Sequence, residues 1–152
     1  MAMTLIPAVD PSLDTLRVIK MLILHDVVEI DAGDTFCYGD QTGKAERERA
    51  AASRIFGMLG DAPGEEFLSL WREFETGETP EARFANALDR LLPMLQNHFN
   101  DGGSWVELGP TLGQVAGRAR VIGEVSPQLG ETVTRLLGEA VRRGWLKGEA
   151  GA

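Results

Sequence analysis

The chain has 152 residues, of which 43% are hydrophobic and 25% charged, and its formal net charge is −8. This length fits one domain with a substantial core, and the composition is typical of an ordinary soluble globular protein. The acidic balance argues against a general nucleic-acid binder, whose affinity depends on basic surface. The sequence contains no apolar stretch long enough to span a bilayer, and one cysteine excludes an internal disulfide. We therefore expect a cytoplasmic protein that binds neither nucleic acid nor membrane.

The spacing of hydrophobic residues predicts helices nearly throughout and no strand. The apolar segment Met1 to Ile6 resembles the tail of a helix that begins outside this sequence, although an unstructured start is the alternative. The first complete helix is expected to begin at Asp14, a good capping residue, and to end at Gly33. Its apolar positions at helical spacing are Leu16, Ile19, Ile23, Val27 and Ile30. Further helices are predicted over about residues 44–59, 63–74, 80–95, 112–124 and 127–145.

The adjacent pair His25-Asp26 follows the apolar run 18–24, and this placement is unusual. An imidazole and a carboxylate at the end of a buried segment are costly to desolvate unless something compensates them. A divalent metal is the usual compensation, because neutral imidazole and ionised carboxylate are both good ligands. The alternative for a lone histidine on an apolar helix is a hydrogen-bonded core residue. The nearby acids Glu29 and Asp34 favour the metal.

The segment from Leu16 to Thr35, with the HD pair, Glu29 and Gly33-Asp34-Thr35, resembles the central motif of HD-domain phosphohydrolases. Within that family it looks like the small helical 5'-nucleotidases that act on deoxyribonucleoside monophosphates. The resemblance covers about residues 15–105. Other matching segments lie at residues 44–51, 71–75, 79–84 and 89–93, and Trp105 matches as well.

This resemblance implies an all-α HD-domain helical bundle of about six helices. It would form a single HD domain over residues 1–147, incomplete at its N-terminus, with residues 148–152 as a frayed tail. Family members bind one divalent ion, here Mn, Co, Mg, Zn or Fe, through a first histidine, the HD pair and a distant aspartate. By position, three of these ligands would be His25, Asp26 and Asp89. The first histidine belongs to a helix before the motif that this sequence does not contain, and His98 matches no position of the pattern.

The implied activity is the removal of phosphate from (deoxy)nucleoside 5'-monophosphates, with a small-molecule nucleotide as substrate. Glu29 lies one helical turn beyond His25, so we expect it to orient or deprotonate the attacking water. Asp34 would donate a proton to the leaving oxygen or hold the sugar, and the roles of the two acids are interchangeable at this point. Homodimers are common in proteins of this kind, and we expect one here.

Two other functions stay open from the sequence. A catalytically weak HD-fold scaffold or binding module would fit the missing first histidine. Another HD phosphohydrolase, such as a phosphodiesterase, fits less well because such enzymes often carry additional histidines. Further residue roles are open as well. At the start of the second helix, Lys44, Arg47 and Arg49 are either all solvated cations or include one phosphate contact. Trp71 and Phe74 are either core residues or parts of a substrate platform.

Overall fold

The computed structural model describes residues 1–33 and 42–148, and every regular element in these ranges is a helix. The predicted all-α class is therefore confirmed. The described ranges contain no β-structure beyond an isolated bridge between Thr111 and Lys147, and none of their helices is both apolar and long enough to cross a membrane. The helices are α1 (Ala2–Val9), α2 (Thr15–Ala32), α3 (Lys44–Gly57), α4 (Asp61–Thr76), α5 (Pro80–Phe99), α6 (Gly103–Leu108), α7 (Leu112–Val125) and α8 (Pro127–Arg142).

The chain forms two compact units, Met1–Ala85 and Asn86–Ala152. Helix α5 runs without interruption through the boundary between them, so its first turns belong to one unit and the rest to the other. The prediction of one domain over residues 1–147 remains a prediction. The predicted frayed tail lies almost entirely outside the described residues.

In the first unit, α2 packs against α1, α3 and α4. It begins as predicted, because the side chain of Asp14 accepts a hydrogen bond from the backbone N–H of Arg17. The buried face of α2 consists of Val18, Met21, Leu24 and Val28.

The apolar positions that the sequence singled out on α2 do not form this buried face. Leu16 is 63% exposed, Ile23 56% and Ile30 83%. These three residues are seven apart, so they share one side of the helix, opposite the positions that pack on α3 and α4. Spacing alone identified the helix correctly but could not tell which of its two apolar stripes is buried.

A side-chain cluster around Glu73 connects α2, α4 and the start of α5. The Arg17 guanidinium donates two hydrogen bonds to the Glu73 carboxylate, one of them from Nε at 3.1 Å. The Thr79 hydroxyl donates to the same carboxylate at 2.6 Å and accepts from the backbone N–H of Ala82, which caps α5. The hydrogen bond from Arg17 is the main reason that the pKa of Glu73 lies below its ordinary value of 4.5, and it outweighs the opposing effect of burial.

In the second unit, α7 and α8 pack against each other. Thr111 and Gln114 form a reciprocal capping box at the start of α7, and Ser126 caps α8 ahead of Pro127. Where the helices meet, a Cβ added to Gly130 would lie 2.7 Å from the Cα of Gly123, so the contact depends on the absence of a side chain there.

Candidate metal centre

The HD pair lies within α2, in the first unit, with its backbone held by helical hydrogen bonds on both sides. Successive helical residues project about 100° apart, so the two side chains leave the helix in different directions. The His25 side chain is 13% exposed, whereas Asp26 is an exposed residue. One of the two groups is therefore enclosed by neighbouring helices and the other remains open to solvent.

Two consecutive residues of α4 surround the His25 imidazole. Its ring stacks on that of Phe74, with centroids 4.4 Å apart and planes inclined by 28°. Glu75 places Oε1 3.5 Å from Nδ1 of the imidazole. Phe74 itself is only 3% exposed, so the core role considered from the sequence applies, and the same ring also supports the histidine.

Glu29 lies one turn along α2, and its Oε1 is 3.6 Å from Nε2 of His25. The same oxygen is 3.9 Å from Nζ of Lys44, at the start of α3. Lys44 also approaches the buried Glu48, with Nζ 3.3 Å from Oε1. Glu29 thus lies between an imidazole and an ammonium group.

Asp89, the third predicted ligand, lies on α5 within the second unit. It is half-buried, and its neighbours Leu88 and Leu91 are almost fully buried. The catalytic candidate Asp34 lies outside the described residues. His25 and Asp26 belong to the first unit and Asp89 to the second, and the binding of one metal ion by all three stays a prediction.

The chemistry of these donors fits a divalent metal. One imidazole and two carboxylates are a donor set used by borderline cations such as zinc, iron, cobalt and manganese. A ligating histidine usually has its second ring nitrogen oriented by a carboxylate, and here a carboxylate lies near each nitrogen of His25. The stacked Phe74 ring further limits rotation of the imidazole.

Sequence reasoning identified the HD pair and Glu29 but missed the support that α4 supplies. Nothing local marks Glu75 as a partner of His25, because the two are 50 positions apart in the chain. Lys44 was considered only as a solvated cation or a phosphate contact, and its proximity to two carboxylates was not foreseen. His98 lies in the second unit, with Nε2 3.7 Å from Oε2 of Glu139.

The helical fold and the donor set together define a class, the all-α proteins that offer a histidine–aspartate pair to a divalent ion. The sequence profile of one such class, the HD domain, matches residues 1–130. The chain belongs to the HD-domain family.

Curated relatives share a common description. A 5'-deoxynucleotidase HDDC2 from Danio rerio is 36% identical over 101 residues, which are 64% of this chain and 50% of that protein. The Homo sapiens protein of the same name is 32% identical over 90 residues, 57% of this chain and 44% of its own length. The 5'-deoxynucleotidase hdd1 of Schizosaccharomyces pombe is 27% identical over 89 residues, 54% of this chain and 44% of the relative. The chain spans about half the length of the curated relatives it matches.

A solved structure from Magnetospirillum magnetotacticum, described as a "predicted metal-dependent phosphohydrolase", is similar over 97% of this chain and 76% of its own. The TM-score is 0.89 and the sequence identity 46%. This similarity confirms the all-α HD fold for nearly the whole chain.

Proposed function

We propose that this chain is the HD-domain part of a divalent-metal-dependent phosphohydrolase. The substrates are nucleoside 5'-monophosphates, with deoxyribonucleotides preferred. His25, Asp26 and Asp89 hold the ion, Glu29 acts on the attacking water, and Asp34 acts on the leaving oxygen or the sugar.

One observation carries the proposal. The imidazole of the HD pair has the Glu29 carboxylate 3.6 Å away on the same helix, so a candidate ligand and a candidate proton acceptor lie side by side. Support for the substrate comes from the three relatives, which are named 5'-deoxynucleotidases. Support for metal dependence comes from the solved structure described as a metal-dependent phosphohydrolase and from the donor set.

A divalent ion, when bound, lowers the pKa of a coordinated water and offsets negative charge on the phosphoryl group. The protein's own groups then act around that chemistry. Glu29 orients the attacking water and accepts its proton, and the ammonium of Lys44 lies 3.9 Å from the same carboxylate. Asp34 donates a proton to the departing ribose oxygen or holds the sugar. Phosphoryl transfer depends mainly on such positioning and on charge neutralisation.

The test is phosphate release from a panel of ribo- and deoxyribonucleoside 5'-monophosphates, with Mn²⁺, Co²⁺ or Mg²⁺ added in turn. We expect turnover that a chelator abolishes and that Asp26→Ala and Asp89→Asn each reduce to background. The exposed Asp61→Asn on α4 is a matched control that keeps activity. Metal binding without turnover on any substrate would instead favour the catalytically weak scaffold.

A homodimer and a cytoplasmic location are parts of this proposal as well. Light scattering on the purified protein tests the first, and fluorescence microscopy of a tagged protein in its own cell tests the second. If light scattering shows a monomer at every protein concentration, the proposed homodimer is wrong, and the proposed hydrolase activity is unaffected.

A further inference from the structure

The start of α3 holds Lys44 in a fixed place. Gly43 precedes it with φ at +71°, in the left-handed region that glycine adopts without strain. The backbone N–H of Arg47 donates to the Gly43 carbonyl at 3.1 Å, and Arg47 Nη1 donates to the Thr42 carbonyl at 3.1 Å. Helix α3 then packs against both α2 and α4. The backbone that carries Lys44 is therefore fixed relative to α2.

One turn further along α3, Glu48 supplies a buried negative charge. The residue is 5% exposed, and its Oε1 makes no hydrogen bond within the described ranges. The ammonium of Lys44, 3.3 Å from that oxygen, forms an ion pair with it. Because a buried carboxylate without compensation is strongly destabilising, Glu48 in turn restricts where the Lys44 side chain can go.

The restricted ammonium also reaches the carboxylate that the proposed mechanism uses. Nζ of Lys44 is 3.9 Å from Oε1 of Glu29, and that oxygen is 3.6 Å from Nε2 of His25. The Lys44 side chain is 26% exposed and that of Glu29 24%, so solvent screens this pair less than it screens a surface pair. An ammonium group has three donors, enough to serve both carboxylates.

We propose that Lys44 is a positioning residue for Glu29. Anchored by the buried Glu48, it fixes the direction of the Glu29 carboxylate, and it touches neither the ion nor the nucleotide. The inference rests on the proposed function, since Glu29 is the group that acts on the water there. Two other roles make different predictions. A solvated cation contributes nothing to the reaction, and a phosphate contact acts through substrate binding.

Steady-state kinetics on Mn²⁺-loaded protein with deoxyribonucleoside 5'-monophosphates separates these roles. For Lys44→Met we expect kcat to fall about 10- to 100-fold, the usual effect of losing an outer-shell partner, with KM and Mn²⁺ affinity unchanged. Lys44→Arg, which keeps the charge, should recover most of kcat. In a Glu29→Gln background Lys44→Met should cause no further loss, because the group it positions is gone.

The control is Lys20→Met on α2, which removes a more exposed lysine–glutamate ion pair with Glu66 and should leave kcat unchanged. A raised KM with intact kcat for Lys44→Met would assign Lys44 to substrate binding and overturn the proposal. Unchanged kinetics would identify a solvated cation and overturn it as well.

A crystal structure of Lys44→Met provides a measurement that does not depend on turnover. We expect the Glu29 carboxylate to leave its position beside His25, and a Glu29 side chain that keeps its place would overturn the inference. If the unmodified protein releases no phosphate from any nucleotide, the proposed function fails, and this structural comparison still decides the role of Lys44.

Discussion

The imidazole of His25 stacks on the phenyl ring of Phe74, with ring centroids 4.4 Å apart. We expect Phe74→Leu to weaken Mn²⁺ binding about tenfold, because the imidazole loses the surface that limits its rotation. The substitution also removes core packing and destabilises the fold by about 1–3 kcal/mol. Isothermal titration calorimetry measures the affinity.

A buried phenylalanine elsewhere separates the two effects of that substitution. Phe56→Leu disrupts an edge-to-face contact with Phe67, whose ring centroid is 6.1 Å away, and should destabilise the protein without changing Mn²⁺ affinity. Equal losses of affinity in the two variants would mean that the stack on His25 has no specific effect.

We expect Glu75 to support metal binding through Nδ1 of the same imidazole, which lies 3.5 Å from Oε1 of Glu75. Glu75→Gln should lower Mn²⁺ affinity about 10- to 100-fold, because a neutral amide orients and polarises the ring less well than a carboxylate. Glu65→Gln makes the same chemical change at an exposed position of α4 and should have no effect. Unaltered affinity in Glu75→Gln would show that the 3.5 Å contact is incidental.

The cluster around Glu73 predicts a pH-dependent contribution to stability. Because the folded-state pKa of Glu73 lies below its ordinary 4.5, the contribution is complete above about pH 4.5 and is lost as the pH falls through the folded value. Glu73→Gln removes the charge that Arg17 and Thr79 recognise. The melting temperatures of the unmodified protein and this variant should differ clearly at pH 7, and the difference should narrow as the pH falls below about 4.5.

Glu66→Gln is the comparison for that experiment, since it breaks the more exposed ion pair with Lys20. Exposed ion pairs contribute little, so its melting temperature should follow that of the unmodified protein at every pH. A constant difference between Glu73→Gln and the unmodified protein from pH 7 to pH 3 would exclude a role for ionisation.

Replacing either of two glycines of α8 by alanine is expected to change stability, in opposite directions at the two positions. Gly130→Ala would place a methyl group 2.7 Å from the Cα of Gly123 and should destabilise by about 1–3 kcal/mol. Gly138→Ala meets only the Arg142 side chain, at 3.7 Å, and should stabilise by up to about 1 kcal/mol through better helix propensity. Denaturant unfolding measures both. Similar effects at the two positions would mean that α7 and α8 do not approach closely in solution.

Much of the fold was predictable because the signals are local. Asp14 was identified as a helix start, and its side chain accepts the expected backbone hydrogen bond. Helix α6 was missed, since it has six residues, follows Gly102 and begins at Gly103, and two successive glycines indicate a loop from sequence. The sequence also could not show which face of α2 is buried, because this depends on how α3 and α4 pack against it.

The candidate site likewise has a part that the sequence predicts and a part that only the packing of helices explains. His25, Asp26 and Glu29 lie within one helix, so their spacing is visible in the sequence. Asp89 could be assigned only through a family resemblance, and its role as a ligand remains a proposal. Glu75 and Lys44 reach the site through the packing of α4 and α3 on α2, which no local pattern encodes.

Residues 73–75 of α4 contact α2 at three successive positions: Glu73 binds Arg17, Phe74 stacks on His25, and Glu75 approaches Nδ1 of the same ring. The orientation of the imidazole is therefore set by apoprotein packing. Capture of an ion then requires little loss of side-chain entropy at this ligand, which favours affinity through preorganisation.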